Sequence, residues 1–265
     1  MLKINNAKKI FRVSTNRLDD RLALDGLDLH IKEGEFVTII GGNGSGKSTL
    51  MNVISGVYTL DEGSVVIGGV DVTNVSEYKR ARHLGRVFQD PNMGTAGQMN
   101  IEENMMLAVR RAKSKGLKWG FNKKYREMFV EKLSTLNLGL ENRLQEKVGL
   151  LSGGQRQAIT LLMATLDRPD ILLLDEHTAA LDPKTAKTVL DLTNKIVNEE
   201  KITTLMITHN MRDAIKYGNR LIMLNAGKIV YDVSGDEKKN LTVQTLLEKF
   251  GTDEDFQMDD KLILS

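Results

Sequence analysis

A glycine-rich segment, Gly41 to Thr49, constrains the fold of this chain more than any other stretch. Its order is G-G-N-G-S-G-K-S-T. The apolar, β-branched run from Phe36 to Ile40 before it predicts a buried strand. Residues 50–55 after it predict a helix that ends at Gly56. This context is typical of a phosphate-binding loop, because glycines let backbone N–H groups approach a phosphate and the helix N-terminus is electropositive.

Two side chains of the segment extend this prediction to a nucleoside triphosphate. Lys47 can reach the β- and γ-phosphates, and the Ser48 hydroxyl can ligate Mg²⁺. The alternative, a glycine-rich turn with a chance Lys-Ser pair, leaves the complete spacing of strand, loop and helix unexplained. We therefore expect nucleotide contacts from Gly41, Asn43, Gly44, Ser45, Gly46, Lys47, Ser48 and Thr49.

Composition excludes several other classes of protein. The 265 residues include no cysteine, so disulfides, thiolate zinc sites and cysteine nucleophiles are excluded. The net charge of +2 gives no support to a nucleic-acid binder. Apolar runs of about five residues are too short for a membrane span, and Met1 to Asn5 lacks the apolar core of a signal peptide. We expect a cytosolic protein that meets a membrane only through a partner.

Hydrophobic patterns divide the chain into three parts. Alternation from Leu2 to Phe11 and from Leu27 to Ile31, with a hairpin signal at Gly68-Gly69, predicts an antiparallel β element. Residues 12–21 are polar and predict a loop. Core strands are predicted at residues 84–89, 171–175 and 203–208. Residues 101–146 show helical patterns only, which indicates a helical insertion over about residues 93–166.

Polar residues follow the predicted core strands, where ligands bind in open α/β sheets. Asp175 suits the shell of Mg²⁺, and Glu176 can accept a proton from an attacking water. Gln89 can touch the metal or orient that water, and His209 can contact the γ-phosphate. Each residue alone has an ordinary structural explanation. Their joint position after a phosphate loop favours catalysis of phosphoryl transfer, together with Lys47.

A second glycine-rich helix start lies at Leu151 to Gln155, before an apolar-patterned helix. Its helix N-terminus could bind an anion. The residues alone favour the other explanation, an ordinary helix start with glycine flexibility.

Taken together, these motifs resemble those of the nucleotide-binding subunits of ABC transporters, and the resemblance covers nearly the whole chain. In chain order the matching segments are Gly41–Ser48 (Walker A), Gln89 (Q-loop), Leu151–Gln155 (signature motif), Ile171–Asp175 (Walker B), the catalytic Glu176, Ala180–Asp182 (D-loop) and His209 (switch histidine). The signature motif is specific to this superfamily.

The resemblance implies an α/β fold: a P-loop NTPase (RecA-like) core with an antiparallel β subdomain and an inserted α-helical subdomain. It implies one ATPase domain over residues 1–251, followed by an acidic tail at residues 252–265. It also implies ATP and Mg²⁺, the latter held by Ser48, Gln89 and Asp175. In the family, two subunits pack head to tail, so the signature residues Ser152, Gly153, Gly154 and Gln155 are expected to act on the nucleotide of a second copy. Asp182, in the D-loop, is also expected to contact nucleotide.

An aromatic residue that stacks on adenine is also expected from the resemblance. Phe11 occupies that place, where Tyr is commoner, and its alternative is a buried strand residue. The residue after the catalytic Glu is usually Pro, but here it is His177, which we do not interpret as a second base. These features resemble a bacterial subgroup linked to uptake of tryptophan or other aromatic amino acids, whose members accompany a permease and a solute-binding lipoprotein.

The expected protein is therefore an ATPase subunit on the cytoplasmic face of the membrane that energises a solute importer. The alternative is a non-transport ABC ATPase of the translation or DNA-repair type. Residues 91–103 are candidates for the groove that receives the permease. The basic residues 110–124 have two explanations, a solvated helical face or contact with anionic lipid head groups.

Overall fold

The structure is a computed structural model that describes residues 1–12, 20–111 and 123–251. Its larger sheet has six strands in the order β10-β9-β3-β8-β7-β6. Five of them are parallel, and β10 runs antiparallel at one edge. The strands are β3 (Phe36–Ile40), β6 (Leu84–Val87), β7 (Ile171–Asp175), β8 (Thr204–Ile207), β9 (Arg220–Asn225) and β10 (Lys228–Ser234).

The smaller sheet is antiparallel, with the order β2-β1-β4-β5. Its strands are β1 (Leu2–Phe11), β2 (Arg21–Ile31), β4 (Glu62–Ile67) and β5 (Val70–Asp71). The hairpin turns at Gly68-Gly69, as the sequence predicts, with positive φ at both glycines. Strand β2 starts at Arg21, earlier than the alternation from Leu27 indicates, because Arg21 pairs with Phe11 at the end of β1. The end of the predicted polar loop is therefore wrong by this residue.

Some helices pack on the larger sheet, and others form a separate helical layer beside it. They are α1 (Lys47–Ser55), α2 (Glu77–Arg80), α3 (Ile101–Arg110), α4 (Lys123–Ser134), α5 (Gly153–Thr165), α6 (Pro183–Glu200), α7 (Met211–Lys216), α8 (Gly235–Lys239) and α9 (Val243–Gly251). Short 3-10 turns lie at Leu140–Asn142 and Val148–Leu150. The sequence did not predict α2 and α8, since four or five polar residues carry no helical period.

The chain between β6 and β7 is helical, with no strand among its described residues. Helices α3, α4 and α5 share one apolar core that includes Met105, Phe129 and Leu162. Asn100 caps α3 reciprocally with Glu103. The predicted helical insertion thus has a core of its own, while its limits at about residues 93–166 stay a prediction. Trp119 and residues 252–265 lie outside the described residues. Within the described ranges, every helix is too short or too polar to span a bilayer.

Arg80 joins the antiparallel sheet to the helix that follows the phosphate loop. Its side chain is 1% exposed, and its guanidinium donates hydrogen bonds to four backbone carbonyls. Nη1 donates to Val53 (2.6 Å) and Ile54 (3.0 Å), at the end of α1. Nη2 donates to Thr73 (2.9 Å) and Nε donates to Val75 (2.8 Å). The cation thereby satisfies the last carbonyls of α1 and complements the helix dipole.

We predict that Arg80→Ala lowers the free energy of unfolding by about 3–5 kcal/mol, because it leaves buried carbonyls without donors. Urea unfolding followed by circular dichroism measures this loss. The exposed neighbour Arg82 is the matched control, and Arg82→Ala should change stability by less than about 0.5 kcal/mol. Equal stability losses in the two variants would contradict this account of Arg80.

Candidate nucleotide-binding site

Strand register brings the phosphate loop and the residues that follow β7 and β8 to one edge of the larger sheet. Ile207 of β8 pairs with Ile39 of β3 and with Asp175 of β7. The backbone N–H of Glu176 donates to the Ile207 carbonyl at 3.1 Å, and the N–H of Thr208 donates to the Ile39 carbonyl at 3.2 Å. The phosphate loop, Glu176 and the segment leading to His209 therefore leave the sheet side by side.

The phosphate loop is folded as its glycines require. Gly41 has φ 156° and Gly46 has φ 104°, values that side-chain-bearing residues rarely adopt. A Cβ on Gly41 would lie 2.3 Å from the Leu224 carbonyl oxygen, and one on Gly46 would lie 2.6 Å from that of Ala23. The loop leads directly into α1, whose N-terminal N–H groups point towards the loop. This arrangement suits an anion.

Lys47 is buried, and its ammonium lies against the loop that precedes it. Nζ donates hydrogen bonds of 2.8 Å to the carbonyls of Gly41 and Gly42. Ser48, the next residue, is exposed. The structure thus places a cation inside the loop and a hydroxyl at its surface, as a triphosphate with a bound cation needs.

A cavity of about 270 Å³ lies over this loop. It is lined by Phe11, Arg21, Leu22, Ala23, the loop residues from Asn43 to Thr49, Glu176 and His209. Phe11 is half-buried at the end of β1, and its ring meets Tyr58 edge-on with centroids 5.2 Å apart. The structure therefore brings the predicted aromatic residue, the loop, Glu176 and His209 around one cavity.

Glu176 and His209 contact each other directly. Nε2 of His209 lies 2.6 Å from Oε1 of Glu176. Glu176 also has a positive φ of 46°, which is rare for a residue with a side chain and is typical of strained positions at functional sites. Its carbonyl accepts from the Ala179 N–H at 2.9 Å, which holds the turn. The turn and the contact with His209 place the carboxylate beside the cavity.

Asp175 and Gln89 line a different groove, with Asn52 and Arg86. Burial raises the pKa of Asp175; the Arg86 guanidinium opposes that rise, and the charge of Glu176 adds to it. The predicted strand over residues 84–89 ends at Val87, so Gln89 is exposed in the following loop. Gln89 is not among the residues that line the cavity over the phosphate loop, which we call the phosphate cavity.

The signature residues form a separate surface. Ser152 caps α5 and exchanges hydrogen bonds with Gln155, while Gly153 is exposed. A Cβ on Gly154 would clash with Cγ2 of Thr185, so any larger residue here would require the Thr185 side chain on α6 to move. Among the described residues, these four are absent from the lining of the phosphate cavity.

Asp182 belongs to the same surface as the signature. Its carboxylate caps α6 by accepting from the Thr185 N–H at 3.1 Å, and the hydrogen bonds from Thr185 lower its pKa. Thr185 therefore contacts both Asp182 and Gly154. Within one chain, the structure assigns Asp182 to helix capping and gives it no place in the phosphate cavity.

His177 is a structural residue, in agreement with the prediction that it is not a second base. Its side chain is 2% exposed, and Nε2 lies 3.1 Å from Oγ1 of Thr193 on α6. The Thr193 hydroxyl also lies 2.8 Å from the Val189 carbonyl, to which it donates. It therefore accepts from His177, which fixes the proton on Nε2. Burial lowers the pKa of His177 to about 4.

Sequence reasoning missed several residues at the site. Arg21, Leu22 and Ala23 reach the phosphate cavity because β2 pairs with the end of β1, a long-range contact that no local pattern indicates. Asn52 and Arg86 meet at Asp175 for a similar reason. A charged residue within a predicted buried strand, such as Arg86, indicates a buried partner of opposite charge and is the sequence signal for this contact.

The donor set at this edge suits a hard divalent cation, since Ser48 and Asp175 offer oxygen ligands. The described part of the chain contains no cluster of three or more His, Cys, Asp or Glu side chains able to hold a metal by itself. A cation here would take further ligands from phosphate oxygens, as Mg²⁺ commonly does.

Comparison with known proteins agrees with this geometry. The family model described as ABC transporter matches residues 24–179. A tyrosine transport ATP-binding protein of Clostridioides difficile (strain R20291) is 47% identical over 250 residues, covering 94% of this chain and 98% of the relative. The chain belongs to the ABC transporter family.

Further similarity supports this membership. A methionine import ATP-binding protein of Clostridium tetani (strain Massachusetts / E88) is 35% identical, covering 86% of this chain and 68% of the relative. The dimeric post-hydrolysis structure of the ATP-binding cassette MJ0796, bound to ADP and Pi, matches with a TM-score of 0.74 and 30% identity, covering 88% of this chain and 98% of that one. The predicted P-loop NTPase fold of the ABC type is confirmed, and the chain is an ATP-binding, ATP-hydrolysing subunit of this family.

The burial of His177 predicts a pH-dependent loss of stability. Its pKa is 6.5 when unfolded and about 4 when folded, so the unfolded chain binds the proton first as pH falls. The stability contribution is complete above about pH 6.5 and is lost as pH falls towards 4. Between about pH 7 and pH 4.5, His177 should account for a loss of about 2–3 kcal/mol.

His177→Gln provides the matched variant, because its amide can still donate to Thr193 but does not titrate. Urea unfolding at both pH values should show a smaller loss for the variant than for the wild type by that amount. Identical pH dependence in the two proteins would contradict the burial of a neutral His177.

Proposed function

We propose that this chain is the ATPase subunit of a bacterial importer for aromatic amino acids. The observation that carries the proposal is the 47% identity, over nearly the full length of both chains, to a protein named for tyrosine transport. The signature surface and the phosphate cavity support the proposed role as an ATPase subunit. The substrate class rests on the relative alone, since nothing in an ATPase subunit contacts the solute.

Hydrolysis is proposed to proceed by attack of water on the γ-phosphate. Glu176 accepts the proton of that water, and His209, hydrogen-bonded to Glu176, contacts the γ-phosphate. Lys47 binds the β- and γ-phosphates once it exchanges its loop carbonyls for phosphate oxygens. Mg²⁺, held by Ser48, Asp175 and Gln89, would neutralise phosphate charge. Phe11 is proposed to stack on adenine at the end of the cavity.

A second copy of the chain is proposed to complete each site. Ser152, Gly153, Gly154 and Gln155 lie at an exposed helix N-terminus, outside the phosphate cavity of their own chain. A helix N-terminus attracts anions, so the same surface in a second copy can cap the γ-phosphate. Asp182, joined to this surface through Thr185, would enter the same interface. A similar cassette has a dimeric structure, which supports an assembly of two copies.

The groove beside Gln89 is proposed to receive the permease. Its volume is about 690 Å³, and Val57 and Met93 on its rim are 43% and 67% exposed. Exposed apolar side chains around a groove indicate a protein partner. Attachment there would place the chain on the cytoplasmic face of the membrane, with an extracytoplasmic solute-binding protein in the same system.

Glu176→Gln tests the proposed chemistry. The amide keeps the size and the hydrogen-bonding capacity of the side chain but cannot accept the proton, so turnover should fall at least about 100-fold while ATP affinity changes little. A phosphate-release assay and a nucleotide titration measure the two effects, and ATP should accumulate the dimer in size-exclusion chromatography. Ordinary turnover in the variant would remove Glu176 from this role.

Lys47→Ala serves as the complementary variant, since it should weaken nucleotide binding itself. Unchanged affinity would contradict the assignment of the phosphate loop.

The substrate class is tested with the permease that co-purifies with this chain and the solute-binding protein of the same system, reconstituted in vesicles. Tyrosine, phenylalanine or tryptophan should stimulate ATP hydrolysis several-fold, whereas methionine should not. Stimulation by methionine, or co-purification with no permease at all, would contradict the proposed importer.

A further inference from the structure

Arg86 is a charged residue in the middle of a buried strand, close to Asp175. It lies on β6, where it pairs with Leu173 of β7, two residues before Asp175. Its guanidinium reaches across to three side chains. Nη2 lies 3.4 Å from Oδ2 of Asp175 and donates to Oδ1 of Asn52 at 2.9 Å. Nη1 donates to Oγ of Ser55 at 3.1 Å. Arg86 thus joins the helix that follows the phosphate loop to the Walker B carboxylate.

The pair is largely removed from water. The side chains of Arg86 and Asp175 are 15% and 19% exposed, and the guanidinium packs 4.7 Å from the centroid of the Phe88 ring. Nε of Arg86 is buried without a hydrogen-bond partner. Partly buried charges are costly unless an opposite charge compensates them. Each of the two charges is therefore stabilised by the other.

Binding of ATP brings additional negative charge close to Asp175. Glu176 follows it directly, and the phosphate cavity is lined by that residue and by Lys47. A triphosphate bound there would repel the Asp175 carboxylate unless a cation screens it. Lys47 acts on the carboxylate from the phosphate loop. Two further cations can screen it by direct contact: Mg²⁺, through its proposed ligand Asp175, and the guanidinium of Arg86, which already lies 3.4 Å from it.

We propose that Arg86 is a positioning residue that holds the Asp175 carboxylate and screens it from ATP in the absence of Mg²⁺. The inference rests on the proposed metal role of Asp175. The affinity of the site for metal-free ATP then depends on Arg86. Its affinity for Mg-ATP is nearly independent of Arg86. Arg86 thereby sets how strongly nucleotide binding and Mg²⁺ binding are coupled.

The test compares nucleotide affinity with and without metal. Trinitrophenyl-ATP is titrated into wild type and Arg86→Gln, once in EDTA and once in excess Mg²⁺. In EDTA the variant should bind about tenfold more weakly, because Asp175 is no longer screened. In Mg²⁺ the two proteins should agree within about twofold. By linkage, Mg²⁺ should bind the nucleotide complex of the variant about tenfold more tightly.

Two controls separate charge from structure. Ser55→Ala removes one contact of Arg86 but leaves its charge beside Asp175, so its ratio of affinities should stay near that of the wild type. Combining Arg86→Gln with Asp175→Asn should abolish the effect of Arg86→Gln, because the carboxylate that needs screening is gone. A merely structural role of Arg86 would instead weaken binding equally in EDTA and in Mg²⁺, which would overturn the proposal.

Asp175→Asn distinguishes the role of Arg86 from the proposed metal role of Asp175. If Asp175→Asn leaves the Mg²⁺ dependence unchanged, the proposed metal role of Asp175 is wrong. If that variant alters it but Arg86→Gln does not, only the role of Arg86 is wrong.

If Arg86→Gln does not fold, the wild type supplies the test. The NMR signal of the Arg86 Nε–H, assigned by its loss in the conservative Arg86→Lys, should shift with ATP in Mg²⁺ and stay in place with ATP in EDTA. An equal shift in both conditions would overturn the proposal.

Discussion

The hydrogen-bond register of three parallel strands determines where the charged groups of the site lie. Ile207 pairs with Ile39 on one side and with Asp175 on the other. The phosphate loop, Glu176 and the segment carrying His209 therefore leave the sheet at one level. These strands are buried along almost their whole length, so a slip of one residue would displace apolar side chains from the core and separate the polar groups. Packing of the apolar core thus sets the geometry of a polar site.

The charged groups of the site have partners within the chain. The Lys47 ammonium lies on loop carbonyls, Glu176 contacts His209, and Asp175 contacts Arg86. Half-buried charges require such partners, because desolvation is costly. A nucleotide that enters the cavity must therefore exchange existing contacts for new ones. Part of the free energy of nucleotide binding offsets the loss of the existing contacts. The strained backbone of Glu176 is held by the turn that follows it.

The parts of the site that are contiguous in sequence could be predicted, since the strand, glycines and helix of the phosphate loop carry local signals. Contacts between distant strands could not. Arg21 and Leu22 reach the cavity only through pairing of β2 with β1, and Arg86 matches no motif. The predicted strand end was wrong as well: β6 stops at Val87, which leaves Gln89 in a loop beside Asp175. Local periodicity contains no information about which strands become neighbours.

A site shared between two copies is tested most directly by mixing two inactive variants. Lys47→Ala disables the phosphate loop. Ser152→Asp keeps the cap of α5 but repels the γ-phosphate. In a mixed dimer one site receives both defects, and the other combines an intact loop with an intact signature. If two copies share each site, each variant alone is nearly inactive, and an equal mixture regains up to about a quarter of wild-type hydrolysis. A mixture as inactive as its components would contradict the shared site.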